Sequence, residues 1–127
     1  MKFLTRVSCA ILTLFAIAAC QGHLTAASSD GQLVKTGQAV YPRRGSFGCN
    51  SLGELNQASS LKAQQNGSQL YDYLHAGHCG LFEDNETANV LRIEKGDSYD
   101  ALVVNLPDQP SAPHEVWIKS SDVSAAR

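Results

Sequence analysis

Between residues 87 and 123 apolar and polar side chains alternate in short runs, the period of β-strands that bury one face. Residues 87–95 hold Val90, Leu91 and Ile93 and close on Gly96-Asp97-Ser98, a turn signature that predicts a hairpin. Residues 99–106 place Leu102, Val104 and Leu106 on one face and Tyr99, Ala101 and Val103 on the other. Three prolines, Pro107, Pro110 and Pro113, predict a loop, and residues 114–119 predict a last long strand with Val116 and Ile118 facing one way. Upstream, Ala39-Val40-Tyr41 predicts a short strand ended by Pro42, with a turn at Arg43-Arg44-Gly45.

The spacing becomes helical at Ser51. Ser51-Leu52-Gly53-Glu54 has the form of a capping box, in which a serine hydroxyl and a glutamate satisfy unpaired donors at a helix start. Leu52, Leu55 and Ala58 then share a face, and Asn66-Gly67 predicts the stop. Ser68 reads as a second N-cap, followed by Leu70, Tyr73 and Leu74 and an end at Gly77. The pattern predicts a mainly β domain over residues 39–127, with a strand and helices over 39–78 and the strands of a small barrel over 79–127.

Ahead of that domain the pattern is of another kind. Lys2 and Arg6 precede an apolar run over residues 7–19, the length of a signal-peptide core and too short to span a bilayer. Residues 1–19 therefore predict an export signal. Its end, Ile17-Ala18-Ala19-Cys20, resembles the lipobox of bacterial lipoproteins, an aliphatic residue and two small ones before the cysteine that is lipidated. The resemblance implies acylation at Cys20, with cleavage by ordinary signal peptidase and a free Cys20 as the alternative. It places the chain in the bacterial cell envelope, held in the membrane by lipid. Gln21 after the cysteine points to the outer membrane, facing the periplasm, by analogy with enterobacterial sorting. Residues 20–38, rich in Gly, Ser, Thr, Ala and Gln, predict a lipidated N-terminus and flexible tether.

Cysteine usage follows. Cys9 leaves with the signal and Cys20 takes lipid, so Cys49 and Cys79 are the pair left in an oxidising compartment and are expected to be bridged. The bridge would clip the beginning of the helical segment to its end, as a disulfide-clipped helical hairpin beside the barrel. Removal of Lys2 and Arg6 leaves eight basic residues against twelve acidic ones, about −4. That balance gives no support to nucleic-acid binding.

Val116-Trp117-Ile118-Lys119-Ser120-Ser121-Asp122-Val123 resembles the closing strand, one-turn helix and final strand of Src-homology-3-like barrels, as found in small bacterial envelope proteins. The resemblance spans about residues 87–123 and implies the fold. It does not carry polyproline recognition, because the acidic-aromatic loop and the tryptophan pair are missing, and Lys119 and Asp122 stand where that family has ligand-gripping residues.

Candidate chemistry is sparse. His75, His78 and Cys79 are the only cluster of metal-type ligands, but Gly77 breaks the helix between the histidines and Cys79 is assigned to the disulfide, so no metal and no other cofactor is expected. Glu83, Asp84 and Glu86 read as a solvated acidic turn. No nucleophile with its base and no paired acids emerge, and the chain is read as a non-enzyme. The expected function is a membrane-anchored envelope lipoprotein, a binding or scaffold module with a protein or peptidoglycan partner. The alternative is an inhibitor or immunity protein against a cell-wall hydrolase, presenting the loop over residues 107–115. Tyr99, Trp117, Arg43 and Arg44 are the candidate binding residues: the aromatics for an exposed face, the arginines for carboxylates or other anionic groups.

Overall fold

A computed structural model describes residues 24–127. The expected signal segment and Cys20 lie outside the described residues. Among these residues nine strands and two helices follow one another. The strands are β1 (Thr25–Ala27), β2 (Leu33–Lys35), β3 (Ala39–Pro42), β4 (Phe47–Cys49), β5 (Cys79–Leu81), β6 (Ala88–Glu94), β7 (Ala101–Asn105), β8 (Val116–Lys119) and β9 (Val123–Ser124), with α1 (Leu52–Ala63) and α2 (Gly67–His75) between β4 and β5. A 3-10 turn, Ser120–Asp122, joins β8 to β9.

Seven strands form one antiparallel sheet in the order β5-β4-β8-β7-β6-β3-β9, and β1 pairs with β2 in a separate two-stranded sheet. The larger sheet keeps two edges, β5 and β9, where a closed barrel has none. Its centre is built by the predicted hairpin of β6 and β7 and by the pairing of β7 with β8. The main core lies on one face, where Val90, Ile93, Leu102, Val104, Val116 and Ile118 meet Val34, Val40 and Val123.

Strand β7 is buried on both faces, which explains its nearly unbroken run of apolar residues. The second face is covered by the helices. Phe47, Cys49, Leu55, Ala58, Cys79 and Ala101 form a smaller core there, with Leu70, Tyr73, Leu74, Tyr99 and Trp117 packed on it. The apolar stripe of α1 is Leu55, Ala58 and Leu61, whereas Leu52, predicted to belong to it, is exposed. Ser51 caps α1 as the sequence indicates, its hydroxyl accepting from the Glu54 N–H at 3.2 Å. The cap of α2 is Asn66 rather than Ser68: its side-chain oxygen accepts from the Gln69 N–H at 3.3 Å, so the helix begins two residues earlier than the serine would allow.

The reading of residues 20–38 as a tether is corrected from Thr25 onward. Thr25↔Lys35 and Ala26↔Val34 pair across β1 and β2, and Ala26 and Val34 are buried in the main core. The Ser28 N–H donates to the Gln32 carbonyl at 2.9 Å, and the Ser29 N–H donates to the Val123 carbonyl at 2.8 Å, which ties this small sheet to residue 123. One valine with a two-strand frame suffices here, although the composition gives little sign of it.

Cys49 and Cys79 are joined by a disulfide and are direct partners in the β4–β5 register, with Cα atoms 4.0 Å apart. The bridge closes the segment that contains both helices.

Candidate binding surfaces

The four candidate residues fall on two separate surfaces. Tyr99 and Trp117 share the helix-covered face. Trp117 stands opposite Cys49 on β4 and Val103 on β7, and Val103 in turn stands opposite Arg92 on β6. Arg92 reaches this face because β6 bulges between Val90 and Arg92, which turns Val90 and Ile93 both into the main core and leaves Leu91 exposed. The Arg92 guanidinium then lies 5.5 Å from the centroid of the Trp117 ring. It is held there by Glu115, which accepts from its two terminal nitrogens at 2.7 and 3.1 Å, and by Glu94 at 3.0 Å. The guanidinium beside Glu115 holds that carboxyl below its ordinary value.

Tyr99 is half-buried against α1, where its hydroxyl donates to the Asn56 side-chain oxygen, and burial pushes the phenol up. Lys119 Nζ lies 5.0 Å from the centroid of its ring. Each aromatic thus has one cation over its ring and the smaller core beneath it. Both rings are partly buried and take part in the packing of that core.

Arg43 and Arg44 lie elsewhere, where β3 leaves the sheet. Gly45, with φ +85, turns the chain back, and the Arg43 N–H donates to the Asp122 carbonyl at 2.8 Å. This turn borders a concavity of about 530 Å³ that also takes in Tyr41, Asp84, Glu86 and Arg127. Arg44 meets Asp84 at 3.3 Å, an exposed pair of small energetic weight. Arg127 lies 4.6 Å from the Tyr41 ring centroid and donates to the Thr87 hydroxyl at 2.8 Å. Among the described residues Arg43 makes no ion pair. The acidic turn is exposed at Glu83 and Asp84, and its Asp84 and Glu86 border this concavity. Arg127 was missed by sequence reasoning, and no local signal connects a terminal arginine with a turn on β3.

The histidine cluster is divided by the fold. His78 Nδ1 lies 2.5 Å from Glu54 Oε2 and its ring stacks on Tyr73, while His75 packs on Tyr71 one helical turn back. Burial and the Glu54 carboxylate raise the Tyr73 phenol. Among the described residues no three His, Cys, Asp or Glu side chains converge as metal ligands.

The loop over residues 107–115 is braced at both ends. Successive turns run from Leu106 to Gln109 and from Gln109 to Ala112, the Gln109 amide donates to Glu86, and Glu115 holds Arg92.

No protein-family model, no curated protein and no solved structure matches the chain.

Proposed function

We propose that the protein is a lipid-anchored module of the bacterial envelope that works by binding, and that the arginine concavity is its ligand surface. The observation that carries this reading is the convergence of Arg43, Arg44 and Arg127, from two distant parts of the chain, on one hollow with Asp84 and Glu86 in its wall. Three guanidiniums beside two carboxylates suit a ligand that bears carboxylates together with an amine, as peptidoglycan stem peptides do. Acylation at Cys20 would hold this surface near the membrane, since the first strand begins at Thr25. The chain of β8, the 3-10 turn and β9 keeps the order that suggested a Src-homology-3-like barrel, and we retain that relationship as part of the proposal.

Two measurements on the full chain in a bacterial host test it. Labelling with a fatty-acid analogue should be lost in Cys20→Ala. A photo-reactive residue in place of Arg43 should cross-link to peptidoglycan, whereas the same residue in place of Leu91, on β6, should not. Label retained in Cys20→Ala, or equal cross-linking at both positions, would refute the reading.

A second reading has its own support. The braced loop over residues 107–115 has the stiffness that an inhibitor of a cell-wall hydrolase needs in order to enter a cleft. Alanine substitutions through this loop would abolish inhibition on that account and leave the arginine surface untouched.

A further inference from the structure

Among the described residues strand β5 has a neighbour on one side only. Its bonds to β4 are made at alternate residues: the Phe82 N–H donates to Ser46, the Asn50 N–H donates to the His78 carbonyl, and Gly80 stands opposite Gly48 between them. By the alternation of an antiparallel ladder, the N–H and C=O groups of Cys79 and Leu81 point away from β4, off the edge of the sheet. This edge is not blunted by charge or by proline, the usual devices that protect one. Leu81 is 57% exposed, and Tyr71 of α2 beside it is 62% exposed.

The edge separates two grooves, each of about 270 Å³. One lies on the core side of the sheet, over Gly48 and Gly80, with Phe82, Leu106 and Pro113 in its walls. The other lies on the helix side, between Leu81 and the Tyr71, Leu74 and His75 side chains of α2. Both are bordered by Cys79, Gly80 and Leu81. A strand added along β5 would direct successive side chains alternately into the two grooves, because the side-chain period of a strand is two.

We infer that the β5 edge is a docking site for an extended, uncharged segment of a partner protein, taken up by strand addition with adjacent apolar side chains in the two grooves. Among the described residues no Asp, Glu, Lys or Arg lines either groove, and His75 is the one basic side chain there, so a charged side chain entering them would lose its hydration without gaining a permanently charged partner. Pairing of two copies through β5 is disfavoured by size. The strand has three residues, so two copies paired through it would share a ladder of only three residues on each side. Strand addition to a peptide needs only the free backbone groups and the side pockets. The inference rests on the reading that the protein acts by binding, but it concerns a surface separate from the arginine concavity.

The test is selection of short random peptides on the full chain in detergent, followed by hydrogen exchange of the chain with the enriched peptides. Enriched peptides should be uncharged, with two consecutive apolar residues. They should slow exchange at the Cys79 and Leu81 amides and leave that of Gly80, already engaged with Gly48, unchanged. Gly80→Val should fold, since a Cβ at Gly80 meets no atom within 4 Å, and should fill the core-side groove. Leu81→Pro removes one outward N–H at an edge where proline is tolerated. Each should weaken peptide binding about tenfold or more while the Gly80 amide of Leu81→Pro keeps its protection. Absence of enrichment, binding without protection at Cys79 and Leu81, or a dimer of the chain abolished by Leu81→Pro would overturn the inference. None of these results depends on the lipid or on Arg43, so failure here is distinguishable from failure of the proposed function.

Discussion

Arg92 and Trp117 sit on either side of Val103 in the sheet register, and the guanidinium covers the indole with its centre 5.5 Å from the ring centroid. The bulge in β6 makes this possible, and Glu115 and Glu94 fix it. The tryptophan is thus part of the cover over the smaller core. Trp117→Ala should lower stability by about 2 kcal/mol or more, read as a shift of the denaturation midpoint, whereas Arg92→Lys should retain most of the fold. An unchanged midpoint in Trp117→Ala would show that the ring is not packed as described.

The disulfide between Cys49 and Cys79 closes a separation of 30 residues that contains both helices. On the chain-entropy model it should contribute about 3–4 kcal/mol. Reduction should therefore lower the melting temperature, by roughly 4–8 °C for each kcal/mol lost in a domain of this size. Thiol titration of the unreduced, denatured chain should find neither Cys49 nor Cys79 free.

Gly48 and Gly80 are register partners but have different tolerance. A Cβ at Gly48 would stand 2.5 Å from Val116 Cγ1 and 2.9 Å from the Phe82 ring, whereas one at Gly80 meets nothing within 4 Å. Gly48→Ala should cost about 1–3 kcal/mol by overpacking, and Gly80→Ala should be close to neutral. Equal effects in chemical denaturation would contradict the packing of β4 against the main core.

Most strand and helix positions were legible because each carries its own local signal: the capping box at Ser51, the glycine stop at Gly77, the alternation along β7 and the prolines after it. The hairpin of β1 and β2 was not legible. Its outer positions are Thr25, Ala27, Leu33 and Lys35, a mixture without contrast, and its hold on the fold comes from Ala26, Val34 and the contact of Ser29 with Val123, which is distant in sequence. The same limit applies to the arginine concavity proposed as the ligand surface. Arg43 and Arg44 were visible as adjacent charges, but the wall formed by Asp84 and Glu86 and the approach of Arg127 depend on tertiary structure. Tyr99 and Trp117 were visible as candidate aromatics, but their packing on the smaller core depends on helices whose docking side the sequence pattern leaves open.

That hairpin supplies a direct check on where the domain begins. Val34 is fully buried, so Val34→Ala should destabilise the whole domain by about 1–3 kcal/mol. Leu33→Ala should have little effect, because Leu33 is 65% exposed. A tether would show no difference between them.

Two carboxylates should respond to acid. Asp30 is held below its ordinary value chiefly by the Ser28 hydroxyl, with the N–H groups of Gln32 and Ala125 as further donors, and Glu115 is lowered by Arg92. A folded value below the unfolded one gives stability that is complete above the ordinary carboxylate range and is lost as pH falls through the lowered value. Carbon-detected titration should place both midpoints below those of unstructured peptides. Ser28→Ala and Arg92→Ala should remove most of the Asp30 and Glu115 shifts, respectively.

The central claim is that the arginine concavity binds a ligand carrying carboxylates, and calorimetric titration of the full chain in detergent with a soluble peptidoglycan stem peptide tests it most directly. The account predicts saturable binding that weakens as salt is raised, since exposed charges are screened within about 10 Å at 0.1 M ionic strength. Arg43→Ser, at an exposed position without an ion pair among the described residues, should reduce affinity about tenfold while the melting temperature stays unchanged. Equal affinity in the wild type and Arg43→Ser, or no saturable heat in either, would contradict it.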